Sequence, residues 1–208
     1  VKTSQDNQDG NNKGDFYYAP PTGFLALCED NLDDPSIDDP TAHFNTVLYT
    51  GNSSTRSITG VGFQPDWTWL KQRSLPSRRH HLQDSVRGAG KSLFSDDTTA
   101  EETSANYLTS FNSDGFSLGT SSETNGNSLN YASWNWKAGG TASSNTDGTI
   151  TSSVSANTTA GFSIVSYTGT GVAGDTMGHG LSQAPEMVIM KKRTSNGADG
   201  VRNWAVWH

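Results

Sequence analysis

The amino-acid sequence predicts an all-β protein, built of tandem β-sandwich units with very little helix. Composition supports this class, because only 32% of the 208 residues are hydrophobic and 17% are charged, while Ser, Thr, Asn and Gly fill the difference. Short apolar or alternating stretches recur at intervals of roughly 10–15 residues, which favours a sandwich or barrel over βαβ units. Two parts of the chain also resemble each other, which indicates a repeated structural unit.

Strands are expected where apolar residues alternate or cluster between turn residues. The clearest is residues 44–50, which Gly51-Asn52 closes, and Asn125-Gly126-Asn127 is a good turn signal. Only the stretch 98–108, around Glu101, indicates a short helix. The predicted strands comprise residues 24–28, 44–50, 57–61, 67–71, 115–119, 129–136 and 204–207.

The strongest signal in the sequence is an internal repeat. Residues 44–51 resemble residues 162–169, and residues 67–74 resemble residues 187–194. Each copy contains a strand, a Tyr-Thr-Gly turn, a glycine-containing segment, a turn with Pro and an acid, and an apolar strand before a basic cluster. We therefore expect both copies to form the same strand–turn–strand module.

Composition divides the chain into four parts. Residues 1–42 are interpreted as the tail of a preceding β domain plus an acidic linker, and residues 43–137 as the first β-sandwich repeat. Residues 138–160 form a Ser/Thr/Gly-rich tether, which is either a flexible linker or a thin strand segment. Residues 161–208 are an incomplete second repeat, so we expect strands beyond His208 or from another chain to complete it.

Charge and composition exclude several classes of function. The net charge of −7 provides no basic field for nucleic acid, and no apolar run approaches the length of a membrane-spanning helix. The single Cys28 allows no internal disulfide, so we expect burial between subunits, most simply in a homotrimer, to stabilise the fold. Residues 88–92 end like a phosphate-binding loop, but Ser85 stands where its first Gly is needed, and no cofactor is predicted.

Six acidic residues between positions 29 and 39 have two interpretations. A calcium site is conceivable, since calcium prefers several carboxylate oxygens. The spacing matches no EF-hand loop, however, and Pro35 and Pro40 interrupt it. A solvated acidic linker is therefore favoured, and no metal site is predicted.

The clearest basic cluster consists of Arg78, Arg79, His80 and His81. These four residues are the candidate contact site for an anionic cell-surface glycan or receptor. The alternative is a solvated loop, or a patch that meets the acidic stretch of a neighbouring chain. Adjacent residues of a strand point to opposite faces, so the two His side chains are not expected to share a metal.

The six Trp residues lie in predicted strands. In residues 67–69 and 134–136 they alternate with Thr or Asn, which favours an apolar face directed into the core. The alternative is a platform on which exposed Trp rings stack on sugars. The six residues are Trp67, Trp69, Trp134, Trp136, Trp204 and Trp207.

No catalytic residues are predicted. The chain has no Gly-x-Ser-x-Gly motif, and His179 lies between glycines where the first repeat has Val61, which favours a structural strand residue. Paired carboxylates for sugar hydrolysis stay open as an alternative. Asp114 and Asp147 each precede a glycine, where a turn role is simpler.

Five motifs spread over the chain carry a resemblance to a known family. Together they resemble structural proteins of tailed bacteriophages, found in tail fibres and especially in those of marine and cyanobacterial phages. The resemblance extends from Phe16 to His208. The motifs are Pro20-Pro21-Thr22-Gly23-Phe24-Leu25-Ala26-Leu27, residues 43–51, Val61-Gly62-Phe63-Gln64-Pro65-Asp66, Asp84-Ser85-Val86-Arg87-Gly88 and Trp134-Asn135-Trp136-Lys137-Ala138-Gly139-Gly140.

This resemblance implies a concanavalin-like (SPRY-type) or jelly-roll sandwich followed by tandem β-rich units. It implies a non-enzymatic virion structural protein, in a tail fibre or surface appendage, that contributes to host-cell attachment and is extracellular after release. The implied partners are further copies of the chain, other virion proteins and host surface glycan, with neither nucleic acid nor membrane insertion. The alternative is a carbohydrate-binding or polysaccharide-depolymerising module.

Overall fold

A computed structural model describes residues 6–75, 77–195, 200 and 202–208. Antiparallel strands dominate it, which confirms the all-β fold class. Within these residues the helical structure comprises α1 (Ser122–Asn125) and the 3₁₀ turns Glu29–Asn31 and Pro40–Ala42. None of the helices in the described ranges is long or apolar enough to cross a membrane. The chain divides into two compact units, Val1–Asp38 and Asp39–His208.

The first unit is organised around the Asp9 carboxylate. It accepts hydrogen bonds from the backbone N–H groups of Asn11, Lys13 and Ala26, and from the Asn31 side chain. The backbone N–H of Ala26 is the largest of the causes that lower the pKa of Asp9 to about 2. These bonds tie an irregular loop together without a sheet.

The strand predicted at residues 24–28 is wrong. Its backbone N–H groups bond locally, Phe24 to the Pro21 carbonyl and Cys28 to the Ala26 carbonyl, so they form turns rather than a ladder. The apolar side chains of this stretch face solvent, and Leu27 is 97% exposed.

The described residues of the second unit form four antiparallel sheets. A six-stranded sheet in the order β1-β9-β3-β4-β5-β6 packs against a three-stranded sheet β2-β8-β7 as a sandwich. A second three-stranded sheet, β10-β11-β12, and a two-stranded sheet, β13-β14, follow. The strands are β1 (Phe44–Thr50), β2 (Arg56–Thr59), β3 (Trp67–Gln72), β4 (His80–Asp84), β5 (Lys91–Phe94), β6 (Glu102–Thr103), β7 (Leu108–Asn112), β8 (Gly115–Leu118), β9 (Asn130–Trp136), β10 (Ser143–Asn145), β11 (Ser152–Asn157), β12 (Phe162–Tyr167), β13 (Val188–Met190) and β14 (Ala205–Trp207).

The hydrophobic core lies between the two sheets of the sandwich. Tyr49 and Tyr131 stack with ring centroids 5.0 Å apart, and their hydroxyls donate to the carbonyls of Thr124 and Ser122, both in α1. These bonds satisfy the buried phenols and fix α1 over the sheet. The core residues are Tyr49, Ile58, Leu70, Leu108, Phe116, Leu118 and Tyr131.

The Trp residues of β3 and β9 do not face this core, so the favoured prediction for them is wrong. Leu70 and Thr68 of β3 are buried on the inner face of the six-stranded sheet. Trp67 and Trp69 alternate with them, and therefore lie on the opposite, outer face. Alternation correctly predicts that the Trp side chains share one face. That face is the outer one, and polar residues such as Thr68 fill part of the inner face.

The helix predicted over residues 98–108 is also wrong. Glu102 and Thr103 form β6, which pairs with β5, and Glu101 engages two arginines. The pairing with β5 needs an extended backbone at Glu102 and Thr103. The α-helix α1 lies later in the chain, with Ser121 as its N-cap.

The segment 138–160 contains β10 and β11, and β11 pairs along its whole length with β12. The Ser/Thr/Gly-rich stretch therefore forms a sheet with the first strand of the second repeat. Ser152 and Ser155 are buried within it.

The two repeat segments share a hairpin but differ in their first strands. The hairpin β13–β14 corresponds to β3–β4 in the first repeat. The counterparts β1 and β12 have different neighbours, since β1 pairs with β9 and β12 pairs with β11. The expected common module, residues 44–74 and 162–194, is therefore wrong, because its first strands pair differently. The shared hairpin includes β4 and β14, which lie beyond the two segments.

Candidate functional site

The outer face of the six-stranded sheet carries a cluster of aromatic rings. We call Phe44, Trp67, Trp69, Trp134 and Trp136 the outer aromatic face. Strand pairing builds it, because Phe44, Trp136 and Trp67 are directly opposite one another across β1, β9 and β3. Trp134 and Trp69 form the next row.

Ring-to-ring distances show a continuous aromatic surface. Trp136 lies 4.8 Å from Phe44 and 4.5 Å from Trp67, measured between ring centroids. Trp69 lies 6.1 Å from Trp67 and 6.2 Å from Trp134. These separations are those of interacting aromatic pairs, so each ring holds its neighbour in place.

One end of the outer aromatic face is covered by the second repeat. The Phe162 ring stacks on Trp67 at 5.8 Å and on Trp136 at 6.4 Å. The edge formed by β1 stays open, because Phe44 is 39% exposed and Leu48, further along β1, is 63% exposed. A half-exposed aromatic strip on a rigid sheet is suited to stack on flat ligands with apolar faces, such as sugar rings.

Polar groups border this strip at Lys71 and His80. The Trp69 indole donates a 2.9 Å hydrogen bond to His80 Nδ1, and the Lys71 ammonium donates to the Arg78 carbonyl. Burial, followed by the Lys71 charge, lowers the pKa of His80. His80 is therefore favoured as a neutral hydrogen-bond acceptor for Trp69.

The predicted basic cluster does not form one free cationic surface. Arg78 pairs with Glu123, and Arg79 donates to Glu102 at 2.9 Å while its guanidinium lies 3.9 Å from the Phe94 ring centroid. His80 is half-buried against Trp69. His81 is only 1% exposed, because it points to the inner face, so its ring is not at a contact surface.

His81 is the centre of a buried Ser–His–Glu arrangement that sequence analysis missed. Its Nδ1 lies 3.0 Å from Ser92 Oγ, and its Nε2 lies 3.6 Å from a Glu123 carboxylate oxygen. His81 and then the Arg78 charge favour ionised Glu123 and lower its pKa to about 2. The three residues come from β4, β5 and α1, so no local sequence motif marks them.

This arrangement has the residue types of a nucleophilic triad but lacks access for a substrate. Ser92 has no exposed surface, and the Phe94 and Tyr107 rings pack edge-on against His81 at 5.0 and 4.9 Å. Burial, and then Glu102, raise the pKa of Tyr107 to about 12. We assign the cluster a structural role, since it joins α1 to the sheet.

A second charged network explains the Asp84-Ser85-Val86-Arg87-Gly88 motif. The Arg87 guanidinium donates to Asp84, to Glu101 at 2.9 Å and to the Leu82 carbonyl at 2.9 Å. Arg193 of the second repeat then binds both oxygens of Glu101, at 2.9 and 3.0 Å. The network thus fixes the second repeat to the first.

The remaining candidate residues have structural partners. Asp114 accepts hydrogen bonds from the backbone N–H groups of Gly62 and Gly60, which lower its pKa, as expected for a turn residue. His179 lies outside the strands and accepts from the Leu181 N–H. Among the described parts of the chain, no three His, Cys, Asp or Glu residues are placed to hold a metal ion.

Comparison with known proteins gives one result. Residues 39–208 match the model of a family described as Domain of unknown function (DUF7483). The chain belongs to the DUF7483 family. No curated protein matches the chain, and no solved structure matches it.

The DUF7483 match coincides with the compact unit Asp39–His208. The sandwich, the outer aromatic face and both charged networks therefore belong to the DUF7483 domain. The Asp9-centred loop lies before the matched region.

Proposed function

We propose that this DUF7483 protein is a non-enzymatic structural component of a bacteriophage virion, in a tail fibre or surface appendage, that attaches to a host surface glycan. The virion assignment rests on the sequence resemblance to tail-fibre proteins. The attachment role rests on the outer aromatic face, which is the single observation that carries the binding part of the proposal.

The chemistry of the outer aromatic face suits a saccharide. The C–H faces of a pyranose ring are apolar, and an aromatic ring buries them without disturbing the hydroxyls at the sugar edge. Trp69 and Trp134 are half-buried, and therefore lose little side-chain freedom on binding. Phe44 of one row and Trp69 and Trp134 of the next provide contacts for consecutive sugars of a chain.

The proposal includes assembly with further copies of the chain and with other virion proteins. The hairpin β13–β14 supports this part, because it has large apolar side chains in contact with solvent. Ile189, Val206 and Trp207 are 48%, 58% and 59% exposed. Exposed apolar groups clustered in this way are typical of interaction surfaces.

Two measurements on the phage that encodes the chain test the proposal. Antibodies against the chain should decorate the tail or the surface of the intact particle in electron micrographs. The fluorescently labelled protein should bind host cells and lose this binding when the surface polysaccharide is removed.

Undecorated particles, or binding that is unchanged on polysaccharide-free cells, would contradict the proposal. Reducing ends should also be measured in purified polysaccharide after incubation with the protein. Their release would favour the depolymerase alternative over simple attachment.

A further inference from the structure

We propose that a cleft at the end of the outer aromatic face binds an acidic sugar, one that bears a carboxylate. This inference rests on the proposed glycan attachment and names the ligand class. The cleft has a volume of about 530 Å³ and lies where β1 begins and β9 ends. Its polar lining includes His43, Gln64, Lys137 and Asn157.

Among the described residues, Lys137 is the one Lys or Arg that lines the cleft, and its side chain is exposed. Asp66 is the one acid that lines the cleft. Its carboxylate is buried and accepts hydrogen bonds from Ser85 Oγ, from the Ala138 N–H at 2.8 Å and from the Gly140 N–H at 3.1 Å. Asp66 therefore braces the wall of the cleft, and Lys137 contributes the charge that a ligand would meet.

Hydrogen bonds around Asn157 determine which ring nitrogen of His43 carries the proton. Asn157 Oδ1 accepts from the Ala160 N–H, so its Nδ2 is the donor towards His43 Nδ1 at 3.0 Å and towards the Lys137 carbonyl. His43 Nδ1 is thus an acceptor, and its proton lies on Nε2. The His43 ring and the Lys137 ammonium both offer hydrogen-bond donors, and a carboxylate is an acceptor that can bind both.

Strand pairing joins the cleft to the outer aromatic face. Phe44 and Trp136 are directly paired, and the next residue outwards on each strand lines the cleft. The Lys137 N–H donates to the His43 carbonyl at 2.8 Å, which holds the two cleft residues side by side. A sugar stacked on the exposed ring of Phe44 would therefore lie next to the cleft.

The wall of the cleft is built to be rigid. A Cβ on Gly139 would lie 2.5 Å from the Ala156 carbonyl oxygen, so only glycine fits there. Gly140 has a φ of +76°, which also favours glycine, and its carbonyl accepts from Ser155 Oγ at 2.8 Å. The Lys-Ala-Gly-Gly motif thus presents Lys137 from a fixed backbone, which lowers the entropy cost of binding.

The test uses uronic-acid-containing bacterial surface oligosaccharides and the same oligosaccharides after carboxyl reduction, titrated by calorimetry against the full chain. The native forms should bind about tenfold more tightly than the reduced forms, because a charge-assisted contact is lost on reduction. Lys137→Gln should abolish this preference. Lys137→Arg, which keeps the charge, should retain it.

Lys91→Gln is the matched control, since Lys91 lies on β5 and does not line the cleft. Equal binding of native and reduced forms would overturn the inference while leaving the attachment proposal intact. A preference that persists in Lys137→Gln would also overturn it. Absence of binding to every oligosaccharide would contradict the inference and the proposed attachment together.

Discussion

The inner and outer faces of the six-stranded sheet come from the same strands but differ in what covers them. On β3, Leu70 is 1% exposed against the second sheet, whereas its neighbour Trp69 remains half-buried on the outside. The inner face packs against β2-β8-β7 and α1, and the outer face meets only part of the second repeat. One face therefore stabilises the fold, while the other holds large aromatic rings partly in solvent.

The size of a side chain alone therefore does not decide whether it lies in the core. The inner face accommodates Thr68 and Asn135, both fully buried, beside Leu70 and Tyr131. The outer face keeps four Trp residues where a typical soluble protein places polar side chains. Partial exposure of so much aromatic surface is the feature that we connect with binding.

The largest effect is expected for Leu70→Ala on the inner face. It removes a fully buried side chain from the core and should lower the free energy of unfolding by about 2–5 kcal/mol. Thr46→Ala, on the exposed outer side of β1, is the control and should change it by less than about 0.5 kcal/mol. Urea denaturation measures the free energy of unfolding of both variants. Equal losses in the two would contradict the assignment of the inner face as the stabilising one.

A smaller loss is expected for Glu101→Gln, which tests how firmly the second repeat is fixed. Breaking a buried ion pair costs about 3–5 kcal/mol, but Asp84 still neutralises Arg87 in the variant, so we expect about 2 kcal/mol. Glu186→Gln, at an exposed position, is the matched control. Unchanged unfolding in Glu101→Gln would mean that the bridge to Arg193 does not fix the repeat.

Acid should weaken the inner face through Glu123. Because His81 and Arg78 lower its folded pKa to about 2, from an ordinary value of 4.5, its contribution is present above pH 4.5 and is lost as the pH falls towards 2. Urea denaturation at several pH values between 5 and 2 should show a steeper loss in the native sequence than in Glu123→Gln. Identical pH dependence in both proteins would contradict the assigned role of Glu123.

Phe162→Ala should have a modest effect, because it uncovers Trp67 and Trp136 without disturbing the core. Loss of the stacked contacts should cost about 1 kcal/mol. The Trp fluorescence maximum should shift to longer wavelength as water reaches the two indoles. An unchanged spectrum would indicate that Phe162 does not cover this end of the outer aromatic face.

Sequence periodicity predicted much of the fold but not the side of the sheet that forms the core. Residues 44–50 were expected as a strand and form β1, and β3 and β9 lie where alternation placed them. A period of two assigns Trp67 and Trp69 to a common face of β3. Which face of the sheet is buried depends on where β2-β8-β7 packs, and the sequence of β3 alone does not show this. Strand β4 was missed because its residues do not alternate in polarity.

The candidate site was harder to predict because its residues meet only through tertiary structure. Ser92, His81 and Glu123 are contributed by three separate elements, and the acids that neutralise Arg78 and Arg79 are distant in sequence. His43 and Lys137 meet because β1 and β9 are paired, although they are far apart in the chain. The Lys-Ala-Gly-Gly motif was visible, but its role required the contact of Gly139 with Ala156.

The most direct test of the two-face account is to measure stability and glycan affinity in the same variant, Trp134→Thr. Trp134 is half-buried on the outer aromatic face, and Thr preserves a strand-forming residue at that position. We expect the affinity for the host polysaccharide to fall at least tenfold, as for loss of an aromatic anchor, while the free energy of unfolding falls by only about 1 kcal/mol. Unchanged affinity in a folded Trp134→Thr protein would contradict the account.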